Sequence, residues 1–111
     1  MQKSTAVSAL AALIALMALL VMHGNANAAD AQVKIANFTF EPPVLTVKVG
    51  ATVTWVNDDD IPHLVSEKEG KFRSSALDTG DKFSQTFSAA GTIEYFCAIH
   101  PHMTGKIVVE P

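Results

Sequence analysis

From Gln32 onward, apolar residues recur at every second position, and this alternation constrains the fold more than any other feature of the chain. In one such segment, Leu45, Val47 and Val49 point to one side, while the residues between them are polar. A period of two is that of a half-buried β-strand, whereas an amphipathic helix repeats its apolar residues every third or fourth position. We find no helical pattern after residue 28, so the sequence predicts an all-β fold.

Clusters of turn-forming residues separate the alternating segments. They lie at positions 41–43, 57–60, 79–81, 89–91 and 101–105, and each of them contains Gly, Pro, Asn or Asp. About six to eight short strands divided in this way are typical of a β-sandwich or a barrel of antiparallel strands. On one of these strands Trp55 shares a face with Val53, and we expect it in the core.

The first 28 residues have a different composition. The segment Ala6 to Met22 contains only Ala, Val, Ser, Leu, Ile and Met, follows the single basic residue Lys3, and leads to Ala26-Asn27-Ala28. A basic start, an apolar run and an Ala-x-Ala site are the parts of a signal peptide. The sequence therefore predicts a signal peptide over residues 1–28 and one domain over residues 29–111. The alternative is an uncleaved anchor, because the apolar run has 17 residues, the lower limit for spanning a membrane.

The charge of the predicted mature chain limits its partners. Without Lys3 it has seven basic and eleven acidic side chains, a net charge of −4. An acidic chain lacks the basic surface that nucleic-acid binding requires. We expect an exported, periplasmic monomer that does not contact the membrane after cleavage. Its only cysteine, Cys97, cannot form an internal disulfide, so the thiol is either buried and inert or bound to something such as a metal.

The densest group of metal-binding side chains follows a strand that points Tyr95 and Cys97 inward. Cys97, His100 and Met103 recur at every third position within seven residues. A loop can bring such residues to one point. Thiolate and imidazole are ligands that suit copper, and a trigonal set of two histidines and one cysteine with a weak axial methionine is a blue-copper electron-transfer site.

The second imidazole of such a site is expected from His63. His63 follows Pro62 at the expected start of another strand, and it is the only histidine after residue 28 outside the loop. Alone it is as well explained as an ordinary surface or core histidine, but beside the loop it becomes the expected ligand. His102 would compete with Met103, and adjacent residues on a tight loop do not easily reach one metal from the same side. We therefore expect His102 to face the solvent.

The sequence resembles the cupredoxins, which are small blue-copper proteins. Among them it is most similar to the amicyanins, and more distantly to plastocyanin and pseudoazurin, which usually have a longer gap between the second His and the Met than His100 and Met103 have here. The resemblance extends from about Val33 to Glu110. It rests on residues 47–57, on Pro62-His63, on Ala90-Gly91-Thr92 with Tyr95, and on Cys97-x-x-His100-x-x-Met103-x-Gly105-Lys106.

This resemblance implies a Greek-key β-sandwich with a metal at one end. It also implies that His63, Cys97 and His100 are equatorial ligands of one copper, which cycles between Cu(I) and Cu(II), and that Met103 is the axial ligand. Such a protein is an electron carrier and not an enzyme. Its partners would be larger redox proteins, such as a c-type cytochrome or a periplasmic dehydrogenase.

The chain departs from these relatives beside two ligands. Leu64 stands where Asn is common, and Ala98 stands where Thr or Ser is common, so two polar groups that brace the ligand loops are missing. We hypothesise that an apolar contact between Leu64 and Ala98 replaces them. The nearby run Asp58 to Asp60 is either a solvated turn or an acidic patch for a basic partner.

Two other classes of function compete with electron transfer. A copper trafficking or storage protein would use the same ligands but release Cu(I) readily. Multicopper oxidases and copper nitrite reductases need further histidine-rich sites, and the three histidines after residue 28 are too few for those.

Overall fold

Two four-stranded β-sheets make up residues 29–111, the part of the chain that this computed structural model describes. The eight strands are β1 (Ala31–Ala36), β2 (Thr39–Glu41), β3 (Val44–Lys48), β4 (Thr52–Asn57), β5 (Ser66–Glu67), β6 (Lys82–Thr86), β7 (Gly91–Cys97) and β8 (His100–Glu110). The prediction of an all-β sandwich is confirmed. No helix in residues 29–111 is long and apolar enough to cross a membrane. The predicted signal peptide and its alternative, an anchor, lie outside the described residues.

The strand order is β2-β1-β4-β6 in one sheet and β3-β8-β7-β5 in the other. Most neighbours are antiparallel, but β1 runs parallel to β4, and β3 runs parallel to β8. The expectation of antiparallel strands alone was therefore wrong for these two pairs. Parallel neighbours need a long crossover connection, and here the chain crosses to the opposite sheet between the paired strands.

The core lies between the sheets and contains most residues that the alternation pointed inward. Val49 is an exception, because it follows the end of β3 and 38% of its surface is exposed. Trp55 is fully buried, as predicted, and its ring meets that of Tyr95 edge-on at a centroid distance of 5.3 Å. Tyr95 and Cys97 are buried on the same face of β7. Burial raises the pKa of Tyr95 to about 12, so this side chain stays neutral beside Cys97.

Gly105 on β8 lies opposite Tyr95 on β7. A Cβ atom at this position would overlap the ring and the hydroxyl group of Tyr95. Only glycine therefore lets the Tyr95 ring pack against β8, which explains why the chain has Gly105 two residues after Met103.

Three connections meet at one end of the sandwich. They are the β1–β2 turn, the segment between β4 and β5, and the β7–β8 hairpin. The backbone N–H of Asp58 in the second connection donates to Ile35 O of β1 at 2.8 Å, and the rings of Phe38 in the first and His100 in the third lie 5.0 Å apart. The predicted metal-binding residues lie on the second and third connections.

Candidate metal centre

The β7–β8 hairpin positions one sulfur and one imidazole. Cys97, the last residue of β7, pairs with His100, the first residue of β8, whereas the preceding residue, Phe96, pairs with Thr104. Three residues, Pro101–Met103, are therefore left without a partner and form a bulge. We predicted a turn over residues 101–105, and this was wrong because pairing resumes at Thr104. A bulge accommodates Pro101, which has no N–H to donate to a ladder.

The bulge sends neighbouring side chains in different directions. His102 is exposed, which confirms the expectation that it faces the solvent. Met103 is buried, with 5% of its surface exposed, and belongs to the core cluster that also contains Cys97. The bulge thus turns the Met103 side chain into the core cluster that contains Cys97.

His63 comes from the connection between β4 and β5. We expected it at the start of a strand, but it forms an isolated bridge with Leu77 and β5 begins only at Ser66. Pro62 interrupts any longer ladder, because it has no backbone N–H. Two hydrogen bonds, from His63 N to Leu77 O at 3.1 Å and from Leu77 N to His63 O at 2.8 Å, fix the backbone. The side chain of His63 is fully buried.

The structure brings three of the predicted residues together. Cys97 Sγ lies 3.7 Å from His63 Nδ1 and 3.6 Å from His100 Nδ1, and the three atoms all lie within 4.8 Å of one another. A point equidistant from them is therefore no more than about 2.4 Å from each atom, which is compatible with the bonds of roughly 2.0–2.3 Å that a divalent ion forms with imidazole nitrogen and thiolate sulfur. The cluster therefore has the size and the donors for one such ion.

A carboxylate that the sequence analysis did not assign to the site fixes the His63 ring. His63 Nε2 lies 2.8 Å from Asp59 Oδ2. Because an ionised carboxylate only accepts hydrogen bonds, Nε2 carries the proton and Nδ1 keeps a free lone pair toward Cys97. Ligating histidines commonly donate their second nitrogen in this way. The run Asp58 to Asp60 just before a candidate ligand histidine was the available sequence signal, but it did not indicate which aspartate makes the contact.

Asp59 also binds the β1–β2 turn. Its oxygens accept hydrogen bonds from the backbone N–H groups of Asn37 at 2.8 Å and Phe38 at 3.0 Å. The hydrogen bond from Phe38, with those from Asn37 and His63, lowers the pKa of Asp59 although partial burial opposes the shift. Asp58 and Asp60 are exposed, whereas only 12% of the Asp59 side chain is exposed. The acidic run is therefore neither wholly a solvated turn nor wholly a surface patch.

The Cys97 sulfur accepts a hydrogen bond even though the chain has Leu64 and Ala98 where relatives commonly have polar side chains. The backbone N–H of Leu64 donates to Cys97 Sγ at 3.4 Å. This bond needs no particular side chain at position 64, so it survives where relatives commonly have Asn. The apolar contact expected between Leu64 and Ala98 stays a prediction.

Comparisons with known proteins agree with the fold and this geometry. A family model described as a cupredoxin-like domain matches residues 9–109. Amicyanin-alpha of Methylorubrum extorquens is 39% identical over 90 residues, which cover 77% of this chain and 76% of that protein. Amicyanin of Paracoccus denitrificans is 45% identical over 83 residues, 70% of this chain but only 63% of that protein. A novel purple cupredoxin from Nitrosopumilus maritimus has a similar structure, with a TM-score of 0.68 and 37% identity over 73% of this chain and 100% of that chain.

The chain therefore belongs to the cupredoxin-like family. Within the family it is similar to the amicyanins, as the sequence resemblance indicated. The family match begins inside the predicted signal peptide, and the boundary between the peptide and the domain stays a prediction.

Proposed function

We propose that the chain is a type 1, or blue, copper protein that carries one electron at a time between redox partners. The observation that supports this most directly is the convergence of the Cys97 sulfur and the Nδ1 atoms of His63 and His100 at one end of the sandwich. A trigonal set of one thiolate and two imidazoles with a weak axial thioether belongs to electron-transfer copper. Membership of the cupredoxin-like family supports the same function.

In this proposal His63, Cys97 and His100 would hold the copper, and the thioether of Met103 would contribute a fourth, weaker bond. When bound, copper supplies a one-electron couple between Cu(I) and Cu(II). The chain supplies fixed positions for the donors. Cys97 and His63 are fully buried. The Leu64 N–H donates a hydrogen bond to Cys97 Sγ, and the Asp59 carboxylate accepts one from His63 Nε2. Ligands held in one arrangement need little movement when the charge of the site changes, which favours electron transfer.

The same donor set argues for a carrier rather than an enzyme. Four protein ligands leave no open position for a substrate, whereas catalytic metal sites keep one. The competing function is that of a copper trafficking or storage protein, which would need ligands that release the metal readily. Full burial of two of the four proposed ligands favours the carrier over this alternative.

The route of the electron would lead through His100. This residue is half-buried, and it lies beside the exposed apolar side chains of Ile99 and Phe38. An apolar surface around a ligand suits brief contact with another redox protein, such as a c-type cytochrome or a periplasmic dehydrogenase. We propose that the protein meets such partners as a monomer in the periplasm, after removal of residues 1–28.

The visible spectrum tests this function. We expect the purified protein with one equivalent of Cu(II) to develop an intense blue band from thiolate-to-copper charge transfer. Ascorbate should bleach the band, and reoxidation should restore it without loss of metal. A colourless Cu(II) complex would contradict the proposal. Rapid transfer of Cu(I) to a chelator over one such cycle would favour trafficking or storage instead.

Asp59 should control how tightly the site holds copper. We expect Asp59→Asn to weaken copper binding by about 10- to 100-fold, because an amide cannot accept the hydrogen bonds of His63, Asn37 and Phe38 together and the His63 ring loses its fixed orientation. Competition with a chelator of known affinity measures this. Asp58→Asn removes the same charge from the neighbouring exposed position and serves as the control. If both variants bound copper equally weakly compared with the wild type, only the charge at these positions would matter.

A further inference from the structure

The β1–β2 turn places a phenylalanine where the backbone disfavours it. Ala36 pairs with Thr39, so the hairpin has a two-residue loop, Asn37-Phe38, in which φ is +52° and +57°. Two positive φ angles are the pattern of a type I′ turn, whose second central position usually contains glycine. Asn tolerates this region, but Phe at +57° costs free energy that Gly would not. Such strain persists where other contacts hold it, commonly at functional sites.

Burial of the Phe38 ring in the core does not offset the free-energy cost of its positive φ angle. It is 53% exposed and does not belong to the core cluster. Instead its ring meets two imidazoles edge-on, that of His100 at a centroid distance of 5.0 Å and that of His63 at 5.8 Å. Edge-to-face contacts of aromatic rings at these distances are attractive. The strained residue therefore lies against both proposed histidine ligands.

The two imidazoles are held differently. Nε2 of His63 is fixed by Asp59, whereas the hydrogen bonds of residues 29–111 include none to Nε2 of His100. Apart from the Cys97 sulfur near its Nδ1, the ring of His100 is positioned by aromatic contacts with Phe38 and His63. His100 is also the more exposed of the two histidines. Its orientation therefore depends on Phe38 more than that of His63 does.

Asp59 is bonded both to the His63 ring and to the turn that contains Phe38. One carboxylate receives the His63 ring proton and the N–H groups of Asn37 and Phe38. It thereby fixes the first imidazole directly and the second through the turn that presents Phe38.

We propose that Phe38 is a positioning residue that keeps the His100 ring aimed at the metal and so slows the loss of copper. The proposal rests on the proposed copper function. It explains why a turn suited to glycine contains a strained phenylalanine. The turn lowers the stability of the metal-free protein. In return, the ring of Phe38 restrains the His100 imidazole, whose Nε2 atom has no hydrogen-bond partner within residues 29–111.

Three substitutions of Phe38 distinguish the effect of its aromatic ring from the effect of the backbone strain. Phe38→Gly removes both, Phe38→Ala removes the ring but keeps a side chain at positive φ, and Phe38→Tyr keeps both. We expect the glycine and alanine variants to transfer Cu(I) to an excess of chelator faster than the wild type, by a similar factor of about 2- to 10-fold, the range expected for loss of one aromatic pair. The tyrosine variant should stay within about twofold of the wild type.

Stability of the metal-free protein and the spectrum of the Cu(II) form complete the test. Denaturant unfolding should rank Phe38→Gly above the wild type and above Phe38→Ala, because glycine relieves the strain. The charge-transfer band should broaden or shift in the glycine and alanine variants and be retained in Phe38→Tyr. The proposal is wrong if the variants that are least stable without metal are also those that lose copper fastest. It is also wrong if Phe38→Gly loses copper at the wild-type rate. A wild type without a blue band would contradict the copper function itself, which is a different result.

Discussion

We expect Cys97→Ser to abolish the intense blue colour of the Cu(II) protein. The band requires a thiolate that transfers charge to copper, and a serine hydroxyl is a much harder ligand that does not replace it. The fold should survive, because serine is smaller than cysteine and its oxygen can still accept the N–H of Leu64 that now reaches Cys97 Sγ. Absorption spectra of the two copper-loaded proteins measure the loss, and far-UV circular dichroism of both metal-free proteins checks the fold.

Met103→Leu is the matched control for this substitution. It replaces a second sulfur-containing side chain of the same cluster, also buried, with an apolar side chain of similar volume. The blue band should persist, because an axial thioether contributes only a weak bond, while the reduction potential should rise because a donor that favours Cu(II) is lost. An intense blue band in Cys97→Ser, or its loss in Met103→Leu alone, would show that the proposed roles of the two sulfurs are wrong.

The sequence predicted those features of the fold that depend on neighbouring residues. The alternation that ends at Tyr95 and Cys97 indicated which side of β7 is buried, because the side-chain period of a strand is a local property. The spacing of Cys97, His100 and Met103 indicated a shared site for a similar reason, since a seven-residue segment limits how far its side chains can separate.

Features that depend on distant segments could not be predicted in this way. The parallel pairing of β1 with β4 arises from crossovers between sheets, and no residue of either strand signals it. The bulge at Pro101–Met103 was interpreted as a turn, because proline suits both. Three consecutive aspartates look alike in the sequence. Only the approach of the β1–β2 turn and His63 distinguishes Asp59 from its two neighbours.

Asn57 illustrates the same limit, because it was expected only as a turn residue. It is fully buried at the end of β4, and its side chain makes three hydrogen bonds. Nδ2 donates to Ile61 O at 2.9 Å and to Leu77 O at 2.8 Å, while Oδ1 accepts the N–H of Asp59 at 2.9 Å. Asp59 and Ile61 precede His63 in the chain, and Leu77 is the residue that forms the isolated bridge with His63. Asn57 therefore connects the segment that contains one proposed ligand to the strand that supports it.

We expect Asn57→Ala to lower the free energy of unfolding of the metal-free protein by about 3 kcal/mol. The substitution leaves Ile61 O and the N–H of Asp59 without these bonds at partly buried positions and removes one donor from the buried Leu77 O. Each buried group left unsatisfied costs about 1–3 kcal/mol. For a domain of this size the midpoint of thermal unfolding should fall by roughly 12–24 °C. Denaturant and thermal unfolding of the metal-free protein measure both quantities.

Thr54→Ala, three residues earlier on the same strand, is the control for Asn57→Ala. Thr54 Oγ1 bonds to Ser84 Oγ at 2.7 Å on the exposed side of the sheet, where water replaces a lost partner, so this change should cost less than about 0.5 kcal/mol. Asn57→Asp provides a second comparison, because a carboxylate keeps the shape of the amide but cannot donate to Ile61 O and Leu77 O. It should destabilise the protein at least as much as alanine does at neutral pH. If Asn57→Ala and Thr54→Ala cost the same, water reaches the exposed groups around position 57, and the His63 segment does not depend on this side chain.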